Sequence, residues 1–489
     1  MTDRVRDARG VYQLASELDA TQQAHAELRF DKGTLLLEHC AQLPTALNAY
    51  FTFDPRVNAY RAPAHYYADL IKPLRPWLRR NRAPHYGKLL QTPALQVQLY
   101  PHQKEALQYW HAAGRRGLVV LPTGAGKTLV GLFALSAARR DTLIVVPTLD
   151  LLHQWYALAR AAFPDLELGL MGGGYHEICS LTIATYDSAA RHIDRLGNRF
   201  GLLICDEAHH LPAEFYRCIA EFSLAPYRLG LSATPERGDN KHLDFPTLLG
   251  PVVYRKTPQE LAGDVLAPFQ VRTIPVELSP SERLDYERLL AERNNFLREN
   301  NIRLGSLEGW NRFVMRSAGT SAGRRAMLAH REARRIAHAA PAKLRALAAV
   351  LGSHRTEKTV IFTDDNATAY EVSQRFLIPC ITHQTRVKER QAILEYFKSG
   401  DYTALVSSRV LNEGVDVPDA AIGVVMSGTG SNREFIQRLG RILRRSKDKQ
   451  AILYEIVARD TREEHVLRRR RQSADTAASP ELPLFPDEK

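Results

Sequence analysis

Short apolar runs alternate with segments of helical period over residues 98–268. The runs predict strands at 118–121, 143–146, 181–184, 202–205 and 228–231. Buried runs separated by helix-length segments are typical of a parallel sheet with helices on both faces. Ligands of such sheets bind at the carboxyl ends of the strands. We therefore expect the functional residues of this region directly after its apolar runs.

A second region of the same texture begins near Pro341, with strands predicted at 358–363, 403–406, 421–426 and 451–456. Between the two regions the chain is polar, helical and rich in arginine. Ser279 is a predicted N-cap, followed by Pro280 in the first turn and by Glu282, which completes a capping box. The pattern predicts two α/β domains, 98–268 and 341–472, separated by a helical insertion, 269–340.

Residues 1–97 predict a small α/β domain that contains a hairpin, with strands at 28–30 and 34–37 joined by a turn ending in Gly33. Aromatic and arginine side chains are interleaved over residues 51–82. They are suited either to stacking on bases and holding phosphates, or to a core of rings with solvated arginines. Residues alone leave these two interpretations open. The polar end, 473–489, is expected to be disordered.

The run 117–120 leads into the segment LPTGAGKT (121–128) and then into an apolar helical segment. A glycine-containing turn between a buried strand and a helix surrounds an anion with backbone N–H groups at the positive end of the helix dipole. Leu121 stands where the strict phosphate-loop pattern has glycine, but two glycines remain where the backbone must approach phosphate. The predicted nucleotide contacts are Thr123, Gly124, Ala125, Gly126, Lys127 and Thr128.

The predicted strand 202–205 ends in Asp206-Glu207-Ala208-His209. At a strand end beside a phosphate loop, Asp206 is suited to hold Mg²⁺ together with the Thr128 hydroxyl. Glu207 is suited to orient or deprotonate the attacking water. His209 is placed to relay the state of the nucleotide. An isolated acidic pair is usually surface charge, and the position after an apolar strand favours the catalytic interpretation.

Other strand-end residues support the same prediction less directly. The Gln103 amide has a donor and an acceptor that match an adenine edge, although an isolated glutamine is normally a surface residue. Thr148 and Thr185 follow predicted strands and precede helices. Each is suited either to donate to a nucleic-acid phosphate or simply to cap its helix, and the sequence leaves both roles open.

The second α/β region lacks a phosphate loop of its own, so it is expected to complete the first site. Asp416 is a candidate ribose contact, and Gly414 permits close approach of the backbone. Offsets of four and seven place Gln437, Arg441 and Arg444 on one helical face. Arginines aimed from one domain at a triphosphate on another neutralise charge in the transition state.

Composition narrows the class of partner. The 66 Lys and Arg residues exceed the 54 Asp and Glu, which gives a net charge of +12 and favours a polyanion. Five scattered cysteines without a C-x-x-C pair argue against zinc, iron–sulfur clusters and disulfides, and suggest a reducing compartment. No segment has the ~20 apolar residues of a membrane span, and the N-terminus lacks a signal-peptide core. We expect a cytoplasmic protein without a membrane partner.

In this order, the motifs resemble those of superfamily 2 helicases over about residues 98–460, and most closely those of XPB-type DNA helicases. The segments YPHQKEAL (100–107) and LPTGAGKT (121–128) carry the second likeness. FDPR (53–56) with YRAP (60–63) is similar to the damage-recognition domain of archaeal relatives, which favours DNA contact by the N-terminal domain. The arginine-rich insertion is similar to the XPB thumb.

The resemblance implies two RecA-like motor domains that use ATP and Mg²⁺ to move 3′ to 5′ on single-stranded or forked DNA, in DNA repair. It implies coupling roles for His209, Ser232 and Thr234. It also implies nucleic-acid contacts for Pro147, Thr148, Thr185, Tyr186 and Thr363. By family analogy a nuclease is a candidate partner. One departure is Arg237-Gly238-Asp239, where relatives have Arg-Glu-Asp linked to strand separation.

Three other functions remain open from the sequence. An RNA helicase shares every catalytic residue, and only the N-terminal likeness favours DNA. A duplex translocase or remodelling motor without strand separation shares them as well, and the departure at Gly238 fits it. An ATP-gated clamp that turns over slowly has no need of Glu207 or of the paired arginines.

Overall fold

The computed structural model divides the chain into two compact units, Met1–Thr257 and Pro258–Lys489. It describes residues 25–40, 43, 45–89, 97–237, 239–263, 267–304, 307–408, 420–426 and 451–468. Each unit has its own parallel sheet, so each is built around its own core. Within the described residues no helix is long and apolar enough to cross a membrane.

The N-terminal part of the first unit is a five-stranded sheet with one helix. Its elements are β1 (Ala26–Asp31), β2 (Thr34–Glu38), β3 (Thr52–Asp54), β4 (Ala59–Pro63), α1 (Tyr67–Leu74) and β5 (Leu78–Asn81). The strand order is β3-β4-β2-β1-β5. The predicted hairpin is confirmed: β1 and β2 pair antiparallel, and Gly33 turns the chain with a φ of +82°.

This small sheet packs directly on the rest of the first unit. Leu224 belongs to its apolar core, together with Leu28 and Leu35. A Cβ placed on Gly33 would lie 2.4 Å from the ring of Phe222, so only glycine fits that contact. The packing holds the N-terminal sheet to the larger domain that follows it.

The larger domain contains an eight-stranded sheet. Its strands are β6 (Arg116–Val120), β7 (Thr142–Val146), β8 (Leu168–Gly172), β9 (Tyr175–His176), β10 (Leu181–Thr185), β11 (Leu202–Asp206), β12 (Tyr227–Ser232) and β13 (Val252–Arg255). Its helices are α2 (Pro101–Ala112), α3 (Lys127–Ala138), α4 (Leu149–Ala162), α5 (Tyr186–Leu196), α6 (Cys218–Glu221) and α7 (Phe245–Leu248). All five strands predicted from apolar runs are present, because such runs are buried on both faces.

The strand order β13-β6-β12-β11-β7-β10-β8-β9 brings the predicted motifs to one edge. Apart from the antiparallel β8–β9 pair, the strands run parallel. Ser232 at the end of β12 pairs with Val120 at the end of β6, and Asp206 pairs with Leu231. Leu121 N also donates to Ser232 O at 3.0 Å. The phosphate loop therefore begins beside the ends of β11 and β12.

The second unit contains a six-stranded parallel sheet of order β14-β19-β18-β15-β17-β16. Its strands are β14 (Phe269–Val276), β15 (Thr359–Phe362), β16 (Cys380–Ile381), β17 (Ala404–Ser407), β18 (Ile422–Val425) and β19 (Ala451–Ala458). Its helices are α8 (Pro280–Glu299), α9 (Leu307–Gly319), α10 (Ser321–His338), α11 (Pro341–Ser353), α12 (Asn366–Phe376) and α13 (Val387–Ser399). The four strands predicted here are confirmed.

The helical insertion is present but begins later than residue 269. β14 pairs with β19 from Phe269 to Val276 and belongs to the second sheet, so its inclusion in the insertion was wrong. The predicted capping box is confirmed: Ser279 Oγ accepts from Glu282 N, and the Glu282 side chain accepts from Ser279 N. Helices α8 to α10 follow and enclose a small apolar core that includes Phe296 and Phe313.

Candidate active site

The phosphate loop has the backbone geometry that its glycines predict. Gly124 and Gly126 adopt φ values of +87° and +78°, and Gly126 is the N-cap of α3. A side chain at Gly126 would also be blocked sterically, because its Cβ would lie 2.2 Å from Gln103 Nε2. Thr123 is partly exposed and Ala125 is buried. The loop thus places backbone N–H groups at the start of a helix, which is the arrangement that binds a phosphate.

Lys127, the first residue of α3, joins the loop to the acidic pair. Its Nζ donates to Leu121 O at 3.3 Å and lies 3.9 Å from Glu207 Oε1. The exposed fractions of the two side chains are 10% and 14%. Thr128 follows Lys127 and is partly exposed. The cation, the hydroxyl and the carboxylate predicted from distant parts of the sequence thus surround the start of one helix.

Asp206 ends β11 with its carboxylate held on both oxygens. Oδ1 accepts from the Glu207 backbone at 2.9 Å, and Oδ2 accepts from Trp155 Nε1 at 2.8 Å. Glu207 adopts a φ of +43°, in the left-handed region that non-glycine residues rarely occupy. Such strain is concentrated at functional sites. It turns the chain sharply at the strand end, so that adjacent carboxylates point to different partners.

The predicted coupling residues form a chain of close contacts away from Glu207. His209 Nδ1 lies 3.4 Å from Glu207 Oε2 and 3.4 Å from Ser232 Oγ. Ser232 Oγ in turn accepts from Thr234 N at 3.2 Å. Thr234 Oγ1 is buried without a hydrogen-bond partner among the described residues.

The Gln103 side-chain amide is hydrogen-bonded within the protein. Its Oε1 accepts from Tyr100 N at 3.0 Å, while Nε2 donates to Ala125 O at 3.1 Å and Gly126 O at 3.3 Å. Only 1% of the residue is exposed. In this structure the amide caps α2 and braces the phosphate loop, and its contact with adenine stays a prediction. His102, which sequence analysis did not single out, braces it too, with Nε2 3.0 Å from Ala125 O.

The two threonines at helix starts both act as N-caps. Thr148 Oγ1 accepts from Leu151 N, and Thr185 Oγ1 accepts from Ser188 N, both at 3.3 Å. Pro147 and Thr148 are partly exposed, while Thr185 is 8% exposed. Capping is thus confirmed for both. A phosphate contact at either helix start stays a prediction.

Two predicted nucleic-acid residues are buried. Tyr186 is 2% exposed, and its hydroxyl donates to Asp206 O at 3.0 Å. Thr363 is fully buried, and its Oγ1 donates to Asp365 O at 3.0 Å. Neither side chain reaches the surface, so a nucleic-acid contact at either residue would involve its backbone, and both assignments stay predictions.

The remaining predicted residues lie outside the described residues. They are Gly414, Asp416, Gln437, Arg441 and Arg444. Their roles stay predictions from the sequence.

The segment that departs from the Arg-Glu-Asp pattern holds the motif loops together. The Arg237 guanidinium pairs with Asp239 through two hydrogen bonds, of 2.9 and 2.7 Å, and donates to His209 O at 2.5 Å. The hydrogen bond with Arg237 keeps the pKa of Asp239 well below its usual range, so that carboxylate is charged at neutral pH. Arg237 therefore connects the loop after β12 to the loop after β11.

Family models match three parts of the chain. The damage recognition domain of the xeroderma pigmentosum group B helicase matches residues 28–76. The res subunit of type III restriction enzymes matches residues 96–237, and the ERCC3/RAD25/XPB C-terminal helicase matches residues 325–474. These matches follow the N-terminal sheet, the first parallel sheet and most of the second unit.

A DNA 3′-5′ translocase XPB2 of Sulfurisphaera tokodaii is 44% identical over 376 residues, which are 77% of this chain and 85% of that protein. The chain belongs to the XPB family. A DNA 3′-5′ helicase XPB of Mycobacterium tuberculosis is 33% identical over 378 residues, or 74% of this chain. The aligned part spans 61% of that longer XPB protein.

A solved structure shares the fold of this chain. The crystal structure of the Pyrococcus furiosus Hef helicase domain superimposes with a TM-score of 0.51 and 19% sequence identity. The match covers 78% of this chain and all of that domain. At this identity the likeness concerns the fold alone, which is the α/β architecture of two parallel sheets expected from the sequence.

Proposed function

We propose that this protein is an ATP-dependent DNA motor that moves 3′ to 5′ and acts in DNA repair. The observation that carries the proposal is the convergence of Lys127, Asp206 and Glu207 at one sheet edge, with Lys127 Nζ 3.9 Å from Glu207 Oε1. A clamp that only binds nucleotide has no need of a carboxylate aimed at the phosphate-binding lysine. Membership of the XPB family and the match of residues 28–76 to its damage recognition domain support DNA as the polymer.

The roles follow from the positions of the side chains. Lys127 and the backbone of the loop bind the outer phosphates of ATP, and Thr128 with Asp206 would hold Mg²⁺. The donor set fits the ion, because it offers a hydroxyl at the helix start and a carboxylate at the neighbouring strand end. Bound there, Mg²⁺ supplies charge neutralisation for the transferred phosphoryl group. Glu207 orients the attacking water and accepts its proton.

Residues of the second unit complete the site in this proposal. Arg441 and Arg444 neutralise the charge that develops on the phosphates, Gln437 contacts the same groups, and Asp416 beside Gly414 meets the ribose. Support comes from helical spacing and from the XPB C-terminal match over residues 325–474. Arginines in this role raise turnover by roughly 10³ to 10⁵.

Translocation without much strand separation is the second candidate, and one observation favours it. Relatives with Arg-Glu-Asp have a carboxylate at the middle position, where this chain has Gly238. Here Arg237 donates both to the Asp239 carboxylate and to His209 O. The Sulfurisphaera tokodaii relative is itself named a translocase. A nuclease partner stays a prediction of the family resemblance.

The test compares ATP turnover with single-stranded DNA, duplex DNA, forked DNA and RNA, alongside a strand-displacement assay. The proposal expects stimulation by DNA over RNA. Displacement from the fork identifies a helicase, and stimulated turnover without displacement identifies a translocase. Stimulation by RNA alone contradicts the proposed polymer, and the absence of any turnover contradicts the motor.

A further inference from the structure

A buried tryptophan holds the carboxylate of Asp206 from a helix that the proposed mechanism does not use. Trp155 lies on α4, is fully buried, and donates from Nε1 to Asp206 Oδ2 at 2.8 Å. The other oxygen, Oδ1, is taken by the Glu207 backbone. Hydrogen bonds to both oxygens fix the rotation of the carboxyl plane. The direction of the remaining lone pairs therefore depends on where α4 sits.

The same indole ring also packs on the helix that begins at the phosphate loop. A Cβ placed on Gly131 of α3 would lie 2.5 Å from Trp155 Cη2, so the ring rests directly on the α3 backbone. Because α3 begins at Lys127, Trp155 is wedged between the two elements that carry the phosphate-binding lysine and the acidic pair. A shift of α4 moves this wedge.

A second helix, α5, also precedes Asp206 in the chain and contacts it. Tyr186, the first residue of α5, donates its hydroxyl to Asp206 O at 3.0 Å. The backbone of Asp206 is tied to α5 as its side chain is tied to α4.

The starts of these two helices carry the predicted phosphate contacts. Thr148 caps α4 seven residues before Trp155, which is two helical turns or roughly 10 Å along the axis. Thr185 caps α5 directly before Tyr186. Because Thr148 and Trp155 lie on one continuous helix, and Thr185 directly precedes Tyr186, a nucleic-acid strand held at the two caps would bias the positions of Trp155 and Tyr186.

We infer that Trp155 and Tyr186 are positioning residues that couple nucleic acid at the starts of α4 and α5 to the metal-holding carboxylate of Asp206. This inference rests on the proposed function, because it assumes nucleotide at the loop and DNA at the two caps. Neither residue touches the phosphates. Each acts through Asp206, as outer-sphere partners of a metal ligand do, and loss of such a partner typically costs 10- to 100-fold in metal affinity or activity.

The experiment compares Trp155→Phe with Trp110→Phe in the full chain. Trp110 is the matched control, since it is equally buried in the same unit and its Nε1 donates to Arg228 O at 2.9 Å, away from the acidic pair. Binding of mant-labelled ADP is measured by fluorescence with and without Mg²⁺. Short single-stranded DNA binding, the Mg²⁺ dependence of ATP turnover and the thermal unfolding midpoint complete the set.

For Trp155→Phe we expect the Mg²⁺-dependent gain in ADP affinity to fall on the order of tenfold. The Mg²⁺ concentration for half-maximal turnover should rise by a similar factor, and stimulation by DNA should be mostly lost. ADP affinity without Mg²⁺ and affinity for the DNA strand should match those of Trp110→Phe. A merely structural role would move the unfolding midpoint and all affinities together.

Tyr186→Phe provides a gentler variant if loss of the indole impairs folding, because it removes one hydroxyl and keeps the ring. Its control is Tyr216→Phe, which loses a hydrogen bond to Asp187 from a ring 5.3 Å away. Tyr186→Phe is expected to reduce DNA stimulation severalfold, and its control to leave it unchanged. Unaltered Mg²⁺ dependence and DNA stimulation in both Trp155→Phe and Tyr186→Phe would overturn the inference. If the wild-type chain binds no ADP, it is the proposed function that fails.

Discussion

Glu207 illustrates how much of the site depends on single side chains and their backbone. Its φ of +43° turns the chain at the end of β11, and its carboxylate lies between Lys127 and His209. Gln103 shows the same dependence in another way, since its amide braces the loop carbonyls of Ala125 and Gly126.

Glu207→Gln is predicted to lower ATP turnover by about 10²- to 10⁴-fold, because the amide cannot accept the proton of the attacking water. Nucleotide binding should be kept, as the shape of the side chain is preserved. Steady-state turnover and ADP titration measure the two effects. Glu214→Gln, on an exposed glutamate seven residues later, serves as the control.

Lys127 lies 3.9 Å from Glu207 Oε1 and is the cation proposed to bind the outer phosphates of ATP. Lys127→Ala removes this cation and is therefore predicted to weaken nucleotide binding itself. Turnover should fall to background at any attainable ATP concentration. The same ADP titration measures the loss of affinity. Full turnover in this variant would show that the roles assigned to the loop are wrong.

The N-caps of α4 and α5 and the apolar core of the helical insertion stabilise whole helices. Thr148 and Thr185 satisfy backbone donors at two helix starts. In the insertion, His330 on α10 packs against the rings of Trp310 and Phe313 on α9. Each of these contacts decides where a helix begins or how two helices pack. Their loss is therefore expected to change the free energy of unfolding.

Thr148→Ala should lower the free energy of unfolding of the first unit by roughly 1 kcal/mol, because a backbone N–H at the start of α4 loses its acceptor. Thr148→Ser should restore most of it, since the hydroxyl is kept. Urea unfolding measures both. If the cap also contacts phosphate, affinity for DNA falls in the alanine variant and recovers with serine. DNA affinity equal in all three proteins would exclude that contact.

The insertion is predicted to lose stability in acid through His330. Burial and the nearby arginines lower the pKa of this histidine to about 4 from its ordinary 6.5. The unfolded chain therefore takes up the proton first, so the contribution is complete above pH 6.5 and is lost as the pH falls towards 4. The loss should be on the order of 2 kcal/mol after allowing for partial solvation.

His330→Phe should flatten this part of the pH profile, because phenylalanine fills the site without a titrating group. Urea unfolding at several pH values between 7.5 and 4.5 measures it. His176→Gln, at an exposed histidine of the first unit, is the control and should leave the profile as it is. A wild-type profile that persists in His330→Phe would contradict the assignment.

At the scale of the whole molecule, the two units carry different residues of the proposed ATPase. The first carries the phosphate loop and the acidic pair, and the second, by sequence, carries Gln437, Arg441 and Arg444. Each unit has a parallel sheet and an apolar core of its own, so a substitution in one unit is expected to leave the core of the other intact. The motor proposal needs both.

Arg441→Ala combined with Arg444→Ala is predicted to keep ADP binding and to lower DNA-stimulated turnover by about 10³-fold or more, because charge on the transferred phosphoryl group goes unneutralised. ADP titration and steady-state turnover measure the two. Arg438→Ala, on a different face of the predicted helix, is the control. Full turnover in the double variant would contradict the proposed role of these two arginines.

The sequence by itself determined the strands, the order of the motifs and the edge where they meet. Apolar runs between helical segments specify parallel strands, and parallel strands place their carboxyl ends together, so Lys127, Asp206 and Ser232 had to converge. The capping box at Ser279 followed from local chemistry in the same way. These features depend either on neighbouring residues in the chain or on the general geometry of parallel sheets. Both can therefore be inferred from a sequence.

Only the tertiary structure decided which side chains meet across the fold. Trp155 donates a hydrogen bond to Asp206, which lies 51 residues later in the chain, and Gln103 turns inward to the phosphate loop. Tyr186 is buried, with its hydroxyl on Asp206 O. β14 joins the second sheet because its partner β19 comes much later in the chain. Such contacts depend on packing between distant segments, and residue type and local spacing do not determine that packing.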